Sequence, residues 1–266
     1  MKKILIAGSA MFLALILNAQ QKEGKVMYER VSQLQIQIND DNPAIQNMLP
    51  KSRTDNFELT FGNNQSLWRQ AEKENEDEPS EGGGMQIKMF VAGSNDVLYN
   101  DFTSGKRTEL REMFDKKFII DDSIRPGKWK MTGESKMILN HNCMKATTSQ
   151  TRTSMRMNMD NGKMERKEVT DTLNIVAWFA TDIPVAAGPA EYQGQLPGLI
   201  LEMDISNGRQ TYRATNISPK ADLAQIKEPA GKKHYTPDEF AKERNKMMEQ
   251  MQQNMGGPGR TIRIAQ

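Results

Sequence analysis

Apolar and polar residues alternate with a period of two along most of this chain, and that spacing admits few folds other than a sheet of half-buried strands. Val26, Tyr28 and Arg30 open one run, and Leu34, Ile36 and Ile38 continue it. Phe57, Leu59 and Phe61 repeat the spacing before Gly62-Asn63-Asn64 turns the chain toward Leu67 and Trp68. Ile87, Met89 and Val91 form another run, followed by 97–102, 106–111 and 118–120. Hairpin turns are expected at Gly133-Glu134, Asn161-Gly162 and Asn207-Gly208; in the last two, both residues tolerate positive φ. Strands this closely spaced predict an antiparallel meander rather than βαβ units. The expected fold is mainly β, an antiparallel curved sheet or open barrel with a C-terminal helix.

The two ends differ from this middle. Lys2 and Lys3 precede an apolar run from Ile4 to Leu17 that is too short to span a bilayer comfortably, and Ala19 offers a small residue for cleavage. Residues 1–19 therefore read as a signal peptide, and the mature chain is expected in the periplasm or outside the cell. No cysteine sits near the cleavage point to carry a lipid, and no later stretch is expected to cross a membrane. A β domain is expected over 20–220, interrupted at 69–84 by a charged, glycine-rich loop with little to bury. The C-terminal segment, 221–266, holds a helix over 237–253 and a disordered tail. Thr236 as N-cap, Pro237 at the first helical position and Glu239 at the third form a capping-box pattern. Met247, Met251 and Met255 follow at helical spacing.

Charge narrows the partners. The whole chain has 36 Lys+Arg and 34 Asp+Glu. Loss of Lys2 and Lys3 with the signal leaves a formally neutral mature protein. No nucleic-acid partner is expected, and any basic patch must be local. The single cysteine, Cys143, excludes an intrachain disulfide.

The most patterned stretch is 178–200. Leu196-Pro197-Gly198-Leu199 holds the Pro-Gly pair of a type II turn, and Pro184, Gly188, Pro189 and Gly194 stand at short intervals upstream. Proline removes backbone donors, so this connection must lie across the sheet or cap its end, with Ile183, Val185, Leu196 and Leu199 beneath it. It is either a packing motif or a rigid rim offering Trp178, Pro184, Tyr192, Leu196, Pro197 and Gly198 to a ligand.

The run W-F-A-T-D-I-P-V-A-A-G-P-A-E-Y-Q-G-Q-L-P-G-L-I-L at 178–201 resembles the signature of the GLPGLI family of exported bacterial proteins. Here Gln195 separates Gly194 from Leu196. The resemblance extends to G-K-V-M-Y-E at 24–29, W-K-M-T-G-E-S-K-M-I at 129–138 and C-M-K-A at 143–146, and covers roughly residues 24–218. It implies an exported, β-rich protein of Bacteroidetes-type bacteria and supplies no catalytic residue.

Catalytic patterns are scarce. There are two histidines, His141 and His234, and no nucleophile elbow, His-Glu-x-x-His or phosphate-binding loop. Glu202 and Asp204 alternate with Leu201 and Met203, which places them on a solvated face. Cys143 and His141 share a strand face, with no orienting acid apparent. The sharper alternative is a soft metal. Met155, Met157 and Met159 alternate along one strand, and His141, Cys143 and Met144 add imidazole, thiol and thioether, a set suited to Cu(I). Methionine is also an adaptable core filler. The favoured expectation is a non-enzymatic envelope protein without a cofactor, a binding or assembly module for a hydrophobic or protein partner. Soft-metal binding is the alternative, and an uncharacterised hydrolase is less favoured.

Overall fold

The computed structural model describes residues 21–34, 50–72, 95–113, 116–160 and 163–255, and within these the side chains other than those of 154–168 and 251–255. The expected signal peptide, the runs at Ile36 and Ile87, most of the 69–84 loop, the Asn161-Gly162 turn and the terminal tail lie outside the described residues.

Among the described residues, twelve strands form one sheet. Six run in sequence as β1 (Gly24–Gln33), β2 (Ser52–Gly62), β3 (Gln65–Gln70), β4 (Val97–Asp101), β5 (Lys106–Met113) and β6 (Lys116–Ser123). Five more, β7 (Lys130–Ile138), β8 (His141–Asp160), β9 (Lys163–Ala180), β10 (Leu199–Ile205) and β11 (Gln210–Ser218), form a second meander whose last strand pairs with β1. These pairs are all antiparallel. A two-residue β12 (His234–Tyr235) pairs with β6 in parallel, which makes the sheet mixed. Among the described residues the sheet is not closed into a barrel: its order runs from β12 to β7 without a joining pair.

Chain length dictates the curvature. In sheet order β6 and β7 stand ten strands apart, or about 48 Å across a flat sheet at the usual strand spacing. Residues 124–129 join them and reach at most about 25 Å when fully extended. The sheet must therefore curl until its two halves face each other.

Period-two burial lines the inside of that curl. Val26 and Tyr28 on β1, Leu59 and Phe61 on β2, Trp68 on β3, Leu98 on β4, Ile175, Ala177 and Phe179 on β9, Met203 on β10, and Tyr212 and Ala214 on β11 belong to one core. Trp68 is its aromatic hub, stacked on Phe57 at 4.9 Å and tilted against Tyr28 and Tyr212.

Turns differ in part from the expected ones. Asn63 and Asn64 both take positive φ and close the β2–β3 hairpin in two residues. Gly133 (φ 80°) does not end a strand. It sits in an irregular stretch of β7, and the chain reverses at Leu139-Asn140, where φ is 48° and 66°. A glycine at positive φ serves a bulge as well as a turn, so the residue type alone does not separate them. The β10–β11 connection uses four residues, 206–209, and the Gly208 amide donates to Asp204 Oδ1 at 2.7 Å.

After β11 the chain crosses the sheet as a strap. Leu223 reaches Gly62, the Arg69 guanidinium donates to Gln225, and Lys106 and Thr108 donate to Glu228. The strap then adds β12 to the β6 edge and enters helix α1 (Pro237–Met255). The Glu239 amide donates to Thr236 Oγ1 while Glu239 Oε2 accepts from the Thr236 amide, the reciprocal capping box read from the sequence. Phe240 seats the helix against Phe118, with Tyr235 and Met247 around them.

Candidate functional site

The connection between β9 and β10, 181–198, does not form a rim. It enters the curl as a plug. Ile183, Ala187, Tyr192, Leu196 and Leu199 join the core, and Gln193 is fully buried. The Leu199 amide donates to the Ile183 carbonyl and the Ile200 amide to the Ala187 carbonyl, so the plug is laced to the start of β10. Across the curl the Ser66 hydroxyl donates to Gln193 Oε1 at 2.7 Å, and Arg107 donates to the carbonyls of Glu191 and Gln193 and to Asn100 Oδ1. The Tyr28 hydroxyl donates to the Ile200 carbonyl at 2.6 Å, and its burial holds the phenol far above its ordinary pKa. The Trp129 indole N–H donates to Gln195 Oε1, which ties the β6–β7 link to the same plug.

Glycine makes this packing possible at two positions above all. A Cβ on Gly198 would fall 2.1 Å from the Ala180 carbonyl oxygen, and Gly194 takes φ +80° against Ile124. The Pro-Gly pattern is thus a device for bringing one backbone against another.

The six residues read as a ligand rim do not share a surface. Tyr192, Leu196 and Gly198 are buried, while Pro184 and Pro197 are exposed. Trp178 alternates with buried Ala177 and Phe179, and its ring carries the Lys136 and Lys145 ammonium groups at 4.4 and 5.8 Å. Lys136 also pairs with Glu202, and Lys145 with Glu134.

The metal candidates separate into two groups. Cys143 and Met155 are twelve residues apart on one strand, about 40 Å of extended chain. His141, Cys143 and Met144 therefore cannot share an ion with Met155, Met157 and Met159, whose side chains lie outside those described. Among the described residues no cluster of three or more His, Cys, Asp or Glu side chains has metal-binding geometry. The structure does reveal the acid that the sequence did not place: His141 Nδ1 lies 2.8 Å from Asp182 Oδ2. Cys143 is fully buried, and its thiol donates to the His141 carbonyl at 3.6 Å. Burial first, then the Asp182 charge, push that thiol up to about 11, the opposite of an activated nucleophile.

The hairpin expected around Asn161-Gly162 has an outer half whose lack of neighbours carried no sequence signal. On β8 the partner β7 ends at Thr147, and on β9 the partner β10 ends at Ile175. The 206–209 loop supports the base, where the Ser206 amide donates to the Asn174 carbonyl and Arg209 pairs with Asp171. Beyond it, from Thr151↔Thr172 to Asp160↔Lys163, the two strands pair with each other for ten successive registers. Among the described residues no strand covers either edge. The described side chains here are mainly hydroxyls: Thr151, Thr153, Thr170 and Thr172 are exposed.

Comparison with known proteins adds a boundary and little chemistry. Residues 129–202 match the family model described as "Protein of unknown function (Porph_ging)". The matched stretch runs from Trp129 through β7, the β8–β9 hairpin and the plug into β10. No curated protein matches. Two solved structures of PNGF-II are similar, in C2 at 16% identity with a TM-score of 0.48 and in P21 at 15% with 0.49. They cover 84% and 83% of this chain, which spans 32% of each of theirs. Among the described residues no helix is long and apolar enough to cross a membrane.

Proposed function

We propose that this protein is exported and acts at the cell envelope as a non-enzymatic binding or assembly module, taking a protein partner by strand addition along the outer half of the β8–β9 hairpin. The observation that carries the reading is the ribbon whose two edges no strand covers among the described residues. A lone two-stranded ribbon is marginal in water, and its rows of unpaired N–H and C=O groups are a ready template for another strand. Its exposed threonines favour a partner held by backbone hydrogen bonds rather than by apolar contact. Membership of the GLPGLI family belongs to the same proposal. It is supported by the Leu-Pro-Gly-Leu-Ile run in the plug and by the family match over the same residues.

Site-specific photocrosslinking in cells that express the protein tests the reading. A benzophenone side chain at Thr153 or Thr170 should give one discrete adduct, and one at Thr215, on β11, should give none. The absence of an adduct from both ribbon positions, or equal adducts from Thr215, contradicts it. N-terminal sequencing of the protein from the periplasmic or culture fraction should begin at Gln20; recovery from the cytosol with residues 1–19 intact contradicts export.

A further inference from the structure

We infer that the strand added to the ribbon comes from a second copy of this chain, its β9 pairing antiparallel with β9 about a two-fold axis at Lys167. The inference rests on the strand-addition reading above and names its partner. The base of the ribbon sets which backbone groups face the edge. The Asn174 carbonyl accepts from the Ser206 amide, so it points away from β8. Successive residues of an antiparallel strand alternate in this respect, and the β8–β9 register runs without a shift from Asn174 to Lys163. The N–H and C=O groups of residues 164, 166, 168, 170 and 172 therefore face the edge that no strand covers among the described residues.

Charge then selects the occupant. Residues 163–171 set Lys163, Arg166 and Lys167 against Glu165, Glu168 and Asp171, so this edge is balanced. The β8 edge is not: residues 151–160 carry Arg152 and Arg156 against Asp160 alone. A two-fold axis normal to the sheet keeps every residue on its own face, and opposed residues share a face, so only registers centred on one residue are open. Centring on Lys167 sets Arg166 opposite Glu168 and Lys163 opposite Asp171, each twice, against a single meeting of Lys167 with itself. Centring on Arg166 halves the favourable pairs, centring on Glu165 sets Lys163 opposite Lys167, and centring on Glu168 sets Glu165 opposite Asp171. A centre farther along would carry the partner's Lys163 past Asn174, where the 206–209 loop already sits. Asp171 Oδ2 pairs with Arg209, and its half-exposed carboxylate can take the partner's Lys163 as well. The pairing turns two marginal two-stranded ribbons into one four-stranded sheet.

Co-expression of two differently tagged copies, one with benzophenone at Thr170, tests the inference in cells. The adduct should carry both tags. An adduct between one copy and a different protein overturns the second copy as partner and leaves strand addition standing; no adduct from Thr153 or Thr170 removes both. Sedimentation of the purified mature protein should show a concentration-dependent mass of two chains. Amides of 169–172 should exchange fast in the dilute monomer and slow as the dimer fills. Charge reversal then tests the register. R166E or E168R alone opposes like charges twice and should weaken dimerisation roughly tenfold. R166E/E168R together should restore it, with the melting temperature of the dilute protein unchanged throughout. A monomer at every concentration, an open-ended polymer, single variants that dimerise like the parent, or a double variant as weak as either single one overturns the proposal.

Discussion

The same two strands, β8 and β9, do opposite things at their two ends. Near the turn into β7 and the plug, Cys143, Ala146, Ile175, Ala177, Phe179 and Ala180 are buried, with neighbours on both sides. Beyond 151 and 172 the two strands pair, among the described residues, only with each other. The hairpin ladder is continuous through both halves, so local pairing does not distinguish them. What differs is the company: a glycine-tight plug on one half and, among the described residues, no covering strand on the other. The plug and the sheet around it should therefore carry most of the stability, which leaves the ribbon available for the strand addition proposed above.

Substitutions should expose that contrast in order of size. Gly198→Val places side-chain carbon into the Ala180 carbonyl and should cost about 3 kcal/mol or more in urea unfolding, or prevent soluble expression. Gln193→Leu strands the buried Ser66 hydroxyl that donates to it and should cost about 2 kcal/mol. Tyr28→Phe removes only the hydroxyl bonded to the Ile200 carbonyl and should cost about 1 kcal/mol.

Acid should act on a third place, the pair of guanidiniums on Asp55. Burial alone would raise this carboxyl, but hydrogen bonds from Arg30 and Arg53 outweigh it and hold it below its ordinary value. Its contribution is present above the unfolded carboxylate range, near pH 4, and is lost as pH falls through the lower folded value. Asp55→Asn should flatten the acid limb of the stability profile below about pH 4 and leave its shape at neutral pH unchanged. The smallest effect belongs to the ribbon. Replacing 152–171 by Asn-Gly should change unfolding free energy by less than about 1 kcal/mol and eliminate the photocrosslinked adduct. A loss as large as that of Gly198→Val would mean the ribbon is structural and would end the comparison.

Much of the architecture was legible because half-buried strands write their period directly into the sequence. Val26 and Tyr28, Leu59 and Phe61, and the capping box at Thr236 occupy the expected places. The plug was legible as a connection that cannot join a ladder, since Pro184, Pro189 and Pro197 remove donors. Which surface it would cover was not, because Ser66, Asn100 and Arg107 come from distant strands and carry no local mark. Leu139 at positive φ hid the β7–β8 turn, for a bulky residue is a poor signal of a left-handed conformation. Trp178 was open to a core or a rim reading; it is half-buried, packed against the main core and overlaid by Lys136 and Lys145, because one step along a strand changes its face from that of Ala177 and Phe179. The hairpin of the ribbon was expected from Asn161-Gly162, but the state of its edges was not legible: alternation looks the same whether or not a neighbour covers the edge. The strap and β12 escaped because a two-residue parallel pairing leaves no period to detect.

Hydrogen exchange followed by mass spectrometry tests the division most directly. Amides of 175–180 and 199–205 should exchange only through global unfolding, while those of 151–153 and 169–172 exchange orders of magnitude faster in the isolated protein. Equal protection across the two halves of the hairpin would contradict the account.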